Sequence, residues 1–237
     1  GHTLTIARDS YGTQKEYIRR YGPVYKTRML GVWRVNLCGP DALEMVLMDK
    51  DRIFSSEGGW DALRPIYPGG LILQDFDGHR QNRRIMQAAF RANAIRDYRA
   101  RMAETMAALL ADWPVDRTFC FYTAIKELTL RIGGAVFMGL PLDGDLARKI
   151  NRAIGNEIRA SVTPIRTPLP FTPMWHGMRG RDFLRETFRK MIPERRASGG
   201  EDFFSQMCLA KDEDGVGWSE QQIVDQNTTK AGQQAEG

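Results

Sequence analysis

Asp77-Gly78-His79-Arg80-Gln81-Asn82-Arg83-Arg84, followed by Ala88-Ala89-Phe90, is the stretch from which the rest of the chain can be read. At about 100° per residue on an α-helix, His79 and Arg83 lie roughly 40° apart and one turn from each other, so both can address a single anionic edge. Arginine offers a planar fork suited to a carboxylate, and a histidine facing an anion is biased towards its protonated, donating form. On the same wheel Arg80, Arg84 and Arg91 fall within roughly 40° of one another, near 120° from His79, while Ile85, Met86 and Ala89 take the other side. Stripped of its flanks, a His-x-x-x-Arg spacing equally describes a surface pair on any amphipathic helix.

Upstream, Ser55 to Phe76 is rich in Gly and Pro and carries Trp60, Leu63, Ile66, Leu71 and Leu73, a long loop of the kind that tends to be functional in a compact domain. Further back, Tyr25, Thr27 and Met29 alternate with Lys26 and Arg28, Gly31 stands at a turn, and Trp33, Val35 and Leu37 alternate with Arg34 and Asn36. That pattern is a hairpin of two half-buried strands. Helical patterns flank it, from about Tyr11 to Arg20 before Gly22-Pro23, and from Pro40 to near Lys50.

Downstream the chain is helical. Ile95, Tyr98, Met102, Met106, Leu109 and Leu110 keep helical spacing as far as Trp113-Pro114. Ala124 to Met138 forms a largely buried helix closed by Gly139, and Asp145 to about Ala160 forms another. Pro164, Pro168, Pro170 and Pro173 interrupt an apolar stretch, after which a helix runs from about Met178 to Arg196. The fold class is mainly α with a small β-hairpin region.

With 237 residues, 42% hydrophobic and 27% charged, the chain can bury a core, and no run approaches the roughly 18 apolar residues of a membrane span. The protein is expected to be cytoplasmic, or membrane-associated through an anchor upstream. Cys38, Cys120 and Cys208 are odd in number and far apart, which argues against a disulfide framework and for a reducing compartment. None of His2, His79 and His176 stands in a His-Glu-x-x-His arrangement, no serine has a nucleophile-elbow context, and no glycine cluster makes a phosphate loop. Metallohydrolase, serine-hydrolase and nucleotide-binding classes are thereby set aside.

Near the end, Ser219 and Gln222 have capping-box spacing and Ile223-Val224 opens an apolar face, announcing a helix. From Asp225 onward the residues are small or polar. The expectation is a domain over residues 1–225 and a polar, non-native-looking tail over 226–237 with nothing to pack it into a core, as if the native sequence were cut or replaced near Asp225.

In order, Arg20-Tyr21-Gly22-Pro23-Val24-Tyr25, Gly39-Pro40-Asp41-Ala42, Phe54-Ser55-Ser56 and the Asp77 to Phe90 stretch resemble the cytochrome P-450 family, over Tyr11 to about Asp225. The resemblance implies the amino-terminal half of a haem-thiolate monooxygenase, an oxidoreductase that inserts one oxygen atom into an apolar organic substrate with haem iron as cofactor. It implies that His79 and Arg83 reach the haem propionates, and that Trp60, Leu63, Ile66 and Leu71 help wall the substrate pocket. It also implies that Arg80, Arg84 and Arg91 face an electron-transfer partner, a ferredoxin or flavoprotein reductase. The proline-broken stretch from Pro164 to Trp175 matches the family's entry-channel lid.

The family's thiolate loop, Phe-x-x-Gly-x-x-x-Cys-x-Gly, is matched by none of the three cysteines, and no metal ligand is assigned. This chain alone is therefore expected to be inactive. Two other classes stand beside this reading: a non-catalytic remnant, and a basic helical nucleic-acid-binding protein. The second is suggested by the net charge of +5 and by Arg179, Arg181, Arg185, Arg189, Lys190, Arg195 and Arg196. Asp182, Phe183, Glu186 and Phe188 intervene in that run, which describes a solvated amphipathic helix, and no nucleic-acid partner is expected.

Overall fold

The computed structural model describes residues 2–87, 90, 92–140, 144–200, 202–212 and 214–234, and only the backbone of 92–94, 233 and 234. It is mainly helical with one two-stranded antiparallel sheet, the fold class read from the sequence. Its residues fall into two compact units, Gly1–Ser55 and Ser56–Gly237, a division at Ser55 that the sequence reading does not place.

In the first unit, α1 (Thr3–Arg8) leads to α2 (Ser10–Tyr21), which Asp9 caps by accepting a hydrogen bond from the Gly12 N–H at 2.8 Å. The strands β1 (Val24–Met29) and β2 (Val32–Leu37) pair with Val24 opposite Leu37 and Met29 opposite Val32. Half-burial of both strands was the expectation, and it holds only for β1. Tyr25 and Thr27 are buried there, with the Tyr17 ring of α2 packed edge-on against Tyr25 at 5.7 Å. Trp33 and Val35 of β2 are exposed. Helix α3 (Pro40–Met48) starts on Pro40, whose missing N–H costs nothing in a first turn.

The second unit holds α4 (Ser56–Gly59), α5 (Phe76–Gln87), α6 (Ala92–Ala111), α7 (Phe121–Met138), α8 (Asp145–Val162), α9 (Pro173–Ser198), α10 (Phe203–Leu209) and α11 (Glu220–Gln234). Single 3₁₀ turns at Asp61–Leu63 and Leu71–Leu73 punctuate the loop before α5. The core joins Ile85 and Met86 of α5, Leu128, Ile132 and Val136 of α7, Ile150 and Ile154 of α8, Leu184, Phe188 and Ile192 of α9, and Phe203 and Phe204 of α10. No helix among the described residues is long and apolar enough to cross a membrane.

Two element boundaries correct the sequence reading. Helix α9 begins at Pro173 rather than near Met178, because Thr172 accepts a hydrogen bond from the Trp175 N–H (3.3 Å) and proline suits the first turn. The other correction concerns the supposed unpacked tail after Asp225. Ser219 and Gln222 form the capping box, with Gln222 N–H to Ser219 Oγ at 3.3 Å and Ser219 N–H to Gln222 Oε1 at 2.9 Å, and α11 runs on to Gln234. Gln226, Asn227, Thr228, Thr229 and Ala231 are all buried. Small polar side chains can enter a core when their donors are satisfied locally. Here Asn227 Nδ2 donates to Ile223 O, Thr228 Oγ1 to Val224 O and Thr229 Oγ1 to Asp225 O, each at 2.8 Å.

Candidate carboxylate-binding site

Helix α5 is held by a line of buried polar contacts that fixes which of its residues face outward. Asn82, buried on α5, accepts from Trp218 Nε1 at 2.6 Å and donates through Nδ2 to Gln74 Oε1 at 2.6 Å. Gln74 passes the line on by donating to Gly69 O at 2.7 Å. From α11, Gln226 donates to the same Gly69 carbonyl and accepts from the Leu71 N–H, both at 3.0 Å. The loop comes this close to α11 because residue 70 is glycine: a Cβ there would stand 2.2 Å from Thr229 Oγ1. A satisfied buried network of this kind makes a rigid support.

That support brackets a cavity of about 170 Å³ lined by Leu71, Ile72, His79, Gln226, Thr229 and Lys230. His79 is half-buried at its wall and Arg83, one turn on, is exposed. Among the described residues neither side chain has a hydrogen-bond or ion-pair partner, whereas the neighbouring arginines do. Arg80 lies 3.3 Å from Asp77, and Arg84 lies 3.2 Å from Asp212 and 3.6 Å from Asp214. The Asp212 carboxyl is held below its ordinary range by the Val216 N–H, with Arg84 and the Asp214 N–H adding to the effect. Among the described residues, two side chains with N–H donors on one helix face, His79 and Arg83, are thus left without an anion, beside two arginines that are already answered.

The structure does not gather the other sequence-predicted residues in one place. Leu71 lines the cavity at His79. Ile66 is fully buried in a second small core with Tyr67, Leu73, Ala160 and Met174, and Leu63 packs against it. Trp60 is 51% exposed. Ile66, expected at a pocket wall, packs inside that small core, where an apolar loop residue gains by leaving water. Arg91 lies outside the described residues, so the basic stripe rests on Arg80 and Arg84, each paired with an acid. Sequence reasoning missed Gln226, Thr229 and Lys230, whose i, i+3, i+4 spacing puts them on one helix face and was the available signal.

The family model for cytochrome P450 matches residues 1–229. The chain belongs to the cytochrome P450 family. It is 33% identical over 228 residues to a putative cytochrome P450 136 of Mycobacterium tuberculosis, covering 94% of this chain and 46% of that protein. It is 27% identical over 200 residues to a pentalenene oxygenase of Streptomyces avermitilis, covering 81% of this chain and 44% of that protein. This P450 chain spans about half the length of the curated relatives it matches. Cyanobacterial CYP120A1, solved with retinoic acid bound, superposes with a TM-score of 0.82 at 22% identity, over 99% of this chain and 54% of that one. That likeness shows the P450 fold.

Family membership implies a haem-iron cofactor, and on α5 the His79 and Arg83 side chains keep donors that no partner among the described residues takes up. The three cysteines of this P450 chain differ in their surroundings. Burial pushes the Cys208 thiol up to about 12, so at neutral pH it is an uncharged core group. Cys120 is exposed at the start of α7, and Cys38 belongs to the first unit. No cluster of three His, Cys, Asp or Glu among the described residues is placed to hold a metal ion.

Proposed function

We propose that this chain serves a haem-dependent monooxygenase by gripping the carboxylates of haem with His79 and Arg83 and by walling the space beside them with Leu71 and Ile72. The observation that carries the reading is the contrast along α5, where His79 and Arg83 are unpaired while Arg80 and Arg84 each meet a carboxylate. When bound, haem supplies the iron at which one oxygen atom is inserted into an apolar substrate. Arg83 donates from a planar fork, His79 adds a single ring N–H, and the line from Trp218 through Asn82 and Gln74 keeps α5 from turning away. Leu71 and Ile72 give the cavity beside His79 an apolar side, which weakens the screening of a charge bound there. No iron ligand is assigned to Cys38, Cys120 or Cys208.

The proposed electron donor is a ferredoxin or a flavoprotein reductase. Of the face expected from Arg80, Arg84 and Arg91, Arg80 and Arg84 remain largely exposed but already lean on Asp77, Asp212 and Asp214. Long-range steering survives such pairing only in part. Against the nucleic-acid reading, Arg181, Arg189, Lys190, Arg195 and Arg196 meet Asp182, Glu186, Asp202 and Glu220 within the fold, and Arg185 meets Asp225.

Haem titrated into the full chain and followed by absorbance tests the proposal. The His79→Ala/Arg83→Ala double variant is expected to bind at least about tenfold more weakly, since even a partly screened charged hydrogen bond contributes about 1.5 kcal/mol. Arg80→Ala/Arg84→Ala should stay close to the parent. Equal affinities for all three proteins would show that the acid groups go elsewhere.

A further inference from the structure

We propose that Lys230 is a further donor of the same site, so that α5 and α11 together bind the acid groups of haem; the inference rests on the carboxylate reading above. Of the six residues around the cavity at His79, Leu71 and Ile72 are apolar. Gln226 has committed its amide to Gly69 O and the Leu71 N–H, and Thr229 has given its proton to Asp225 O. What is left with free donors is His79 on one helix and Lys230 on the other. Among the described residues the Lys230 amine has no hydrogen-bond or ion-pair partner, although it is half-buried.

Burial holds the Lys230 ammonium below its ordinary range, the signature of a cation that has lost water and gained no anion in return. A carboxylate entering the cavity restores that loss by accepting from the Lys230 ammonium and the His79 ring N–H, the two donors of the lining without partners among the described residues. The family match ends at Thr229, so Lys230 lies one residue past the matched positions.

The test compares haem with its dimethyl ester, in which both acid groups are neutral, on the full chain. Lys230→Met is expected to weaken haem binding about tenfold while leaving the ester unaffected, and Lys230→Arg to restore most of the difference. A second measurement needs no variant: acetic anhydride labelling read by mass spectrometry should find Lys230 shielded by haem and not by the ester. If Lys230→Met binds haem like the parent and labelling of Lys230 is the same with and without haem, the inference falls, and a deficit in the His79/Arg83 variant leaves the carboxylate reading standing. Shielding of Lys230 with no deficit in that variant would keep Lys230 as the acid's partner and remove His79 and Arg83. If the parent chain takes up no haem, both fall together.

Discussion

Replacing Asp202 by Ala is expected to lower the unfolding free energy by about 3–5 kcal/mol, because it strands a buried guanidinium. Asp202 is 3% exposed, and its carboxylate accepts from Arg195 Nη1 at 2.8 Å and from Ser205 Oγ at 2.7 Å. It also accepts from the Ser205 N–H at 3.0 Å, which makes it the N-cap of α10. Arg195 reaches further, donating Nη2 to the Gly139 carbonyl at 2.9 Å where α7 ends. Gly139 permits that approach: its φ is +58°, and a Cβ there would stand 2.8 Å from both guanidinium nitrogens.

One ion pair therefore ties the ends of α7, α9 and α10. Without the carboxylate, α10 loses a cap worth about 1 kcal/mol and Arg195 keeps its charge in a place that water reaches poorly. Adding Arg195→Met removes the stranded charge, so the double change should cost clearly less than the two single changes summed. Urea unfolding followed by circular dichroism reads both quantities. A loss under about 1 kcal/mol for Asp202→Ala would mean that the pair behaves like a screened surface contact.

The helices were legible where one face is continuously apolar, as in α7 and α8, and so was the hairpin around Gly31. The shared face of His79 and Arg83 was legible from a four-residue spacing on α5, and the burial of Ile85 and Met86 agrees with the face assigned to them. Contacts between distant small polar residues were not legible. Nothing local in Asn82 announces Trp218, 136 positions away, and nothing in Gln226 announces Gly69. Residues 226–231 read as a tail because hydropathy patterns count apolar side chains, whereas these residues enter the core by spending their donors on backbone carbonyls. Ile66 read as a loop anchor or a pocket wall, and only the packing of Tyr67, Leu73, Ala160 and Met174 around it decides for the core.

Glu157→Gln is expected to stabilise the protein at neutral pH, with the gain vanishing in acid. Glu157 sits on α8 with 0% exposure, and neither carboxyl oxygen has a hydrogen-bond partner. Burial raises its pKa well above the ordinary value; Arg181 and Arg185 oppose the rise and Asp182 reinforces it. The two arginines give Glu157 only their distant charge, because Arg181 bonds Asp182 and Pro65 O, and Arg185 bonds Asp225. The folded state thus holds a proton that the unfolded chain releases from about pH 4.3 upward. Stability is complete below that pH and falls as pH rises towards the folded value, by at most about 1.4 kcal/mol per unit. Glutamine has nearly the same shape and cannot ionise, so it removes this slope while leaving the packing of α8 in place. Thermal unfolding of both proteins between pH 4.5 and 8 should show curves that coincide in acid and separate with rising pH, the variant above the parent. Parallel curves would mean that water or a shifted arginine reaches Glu157 and lets it carry its charge without penalty.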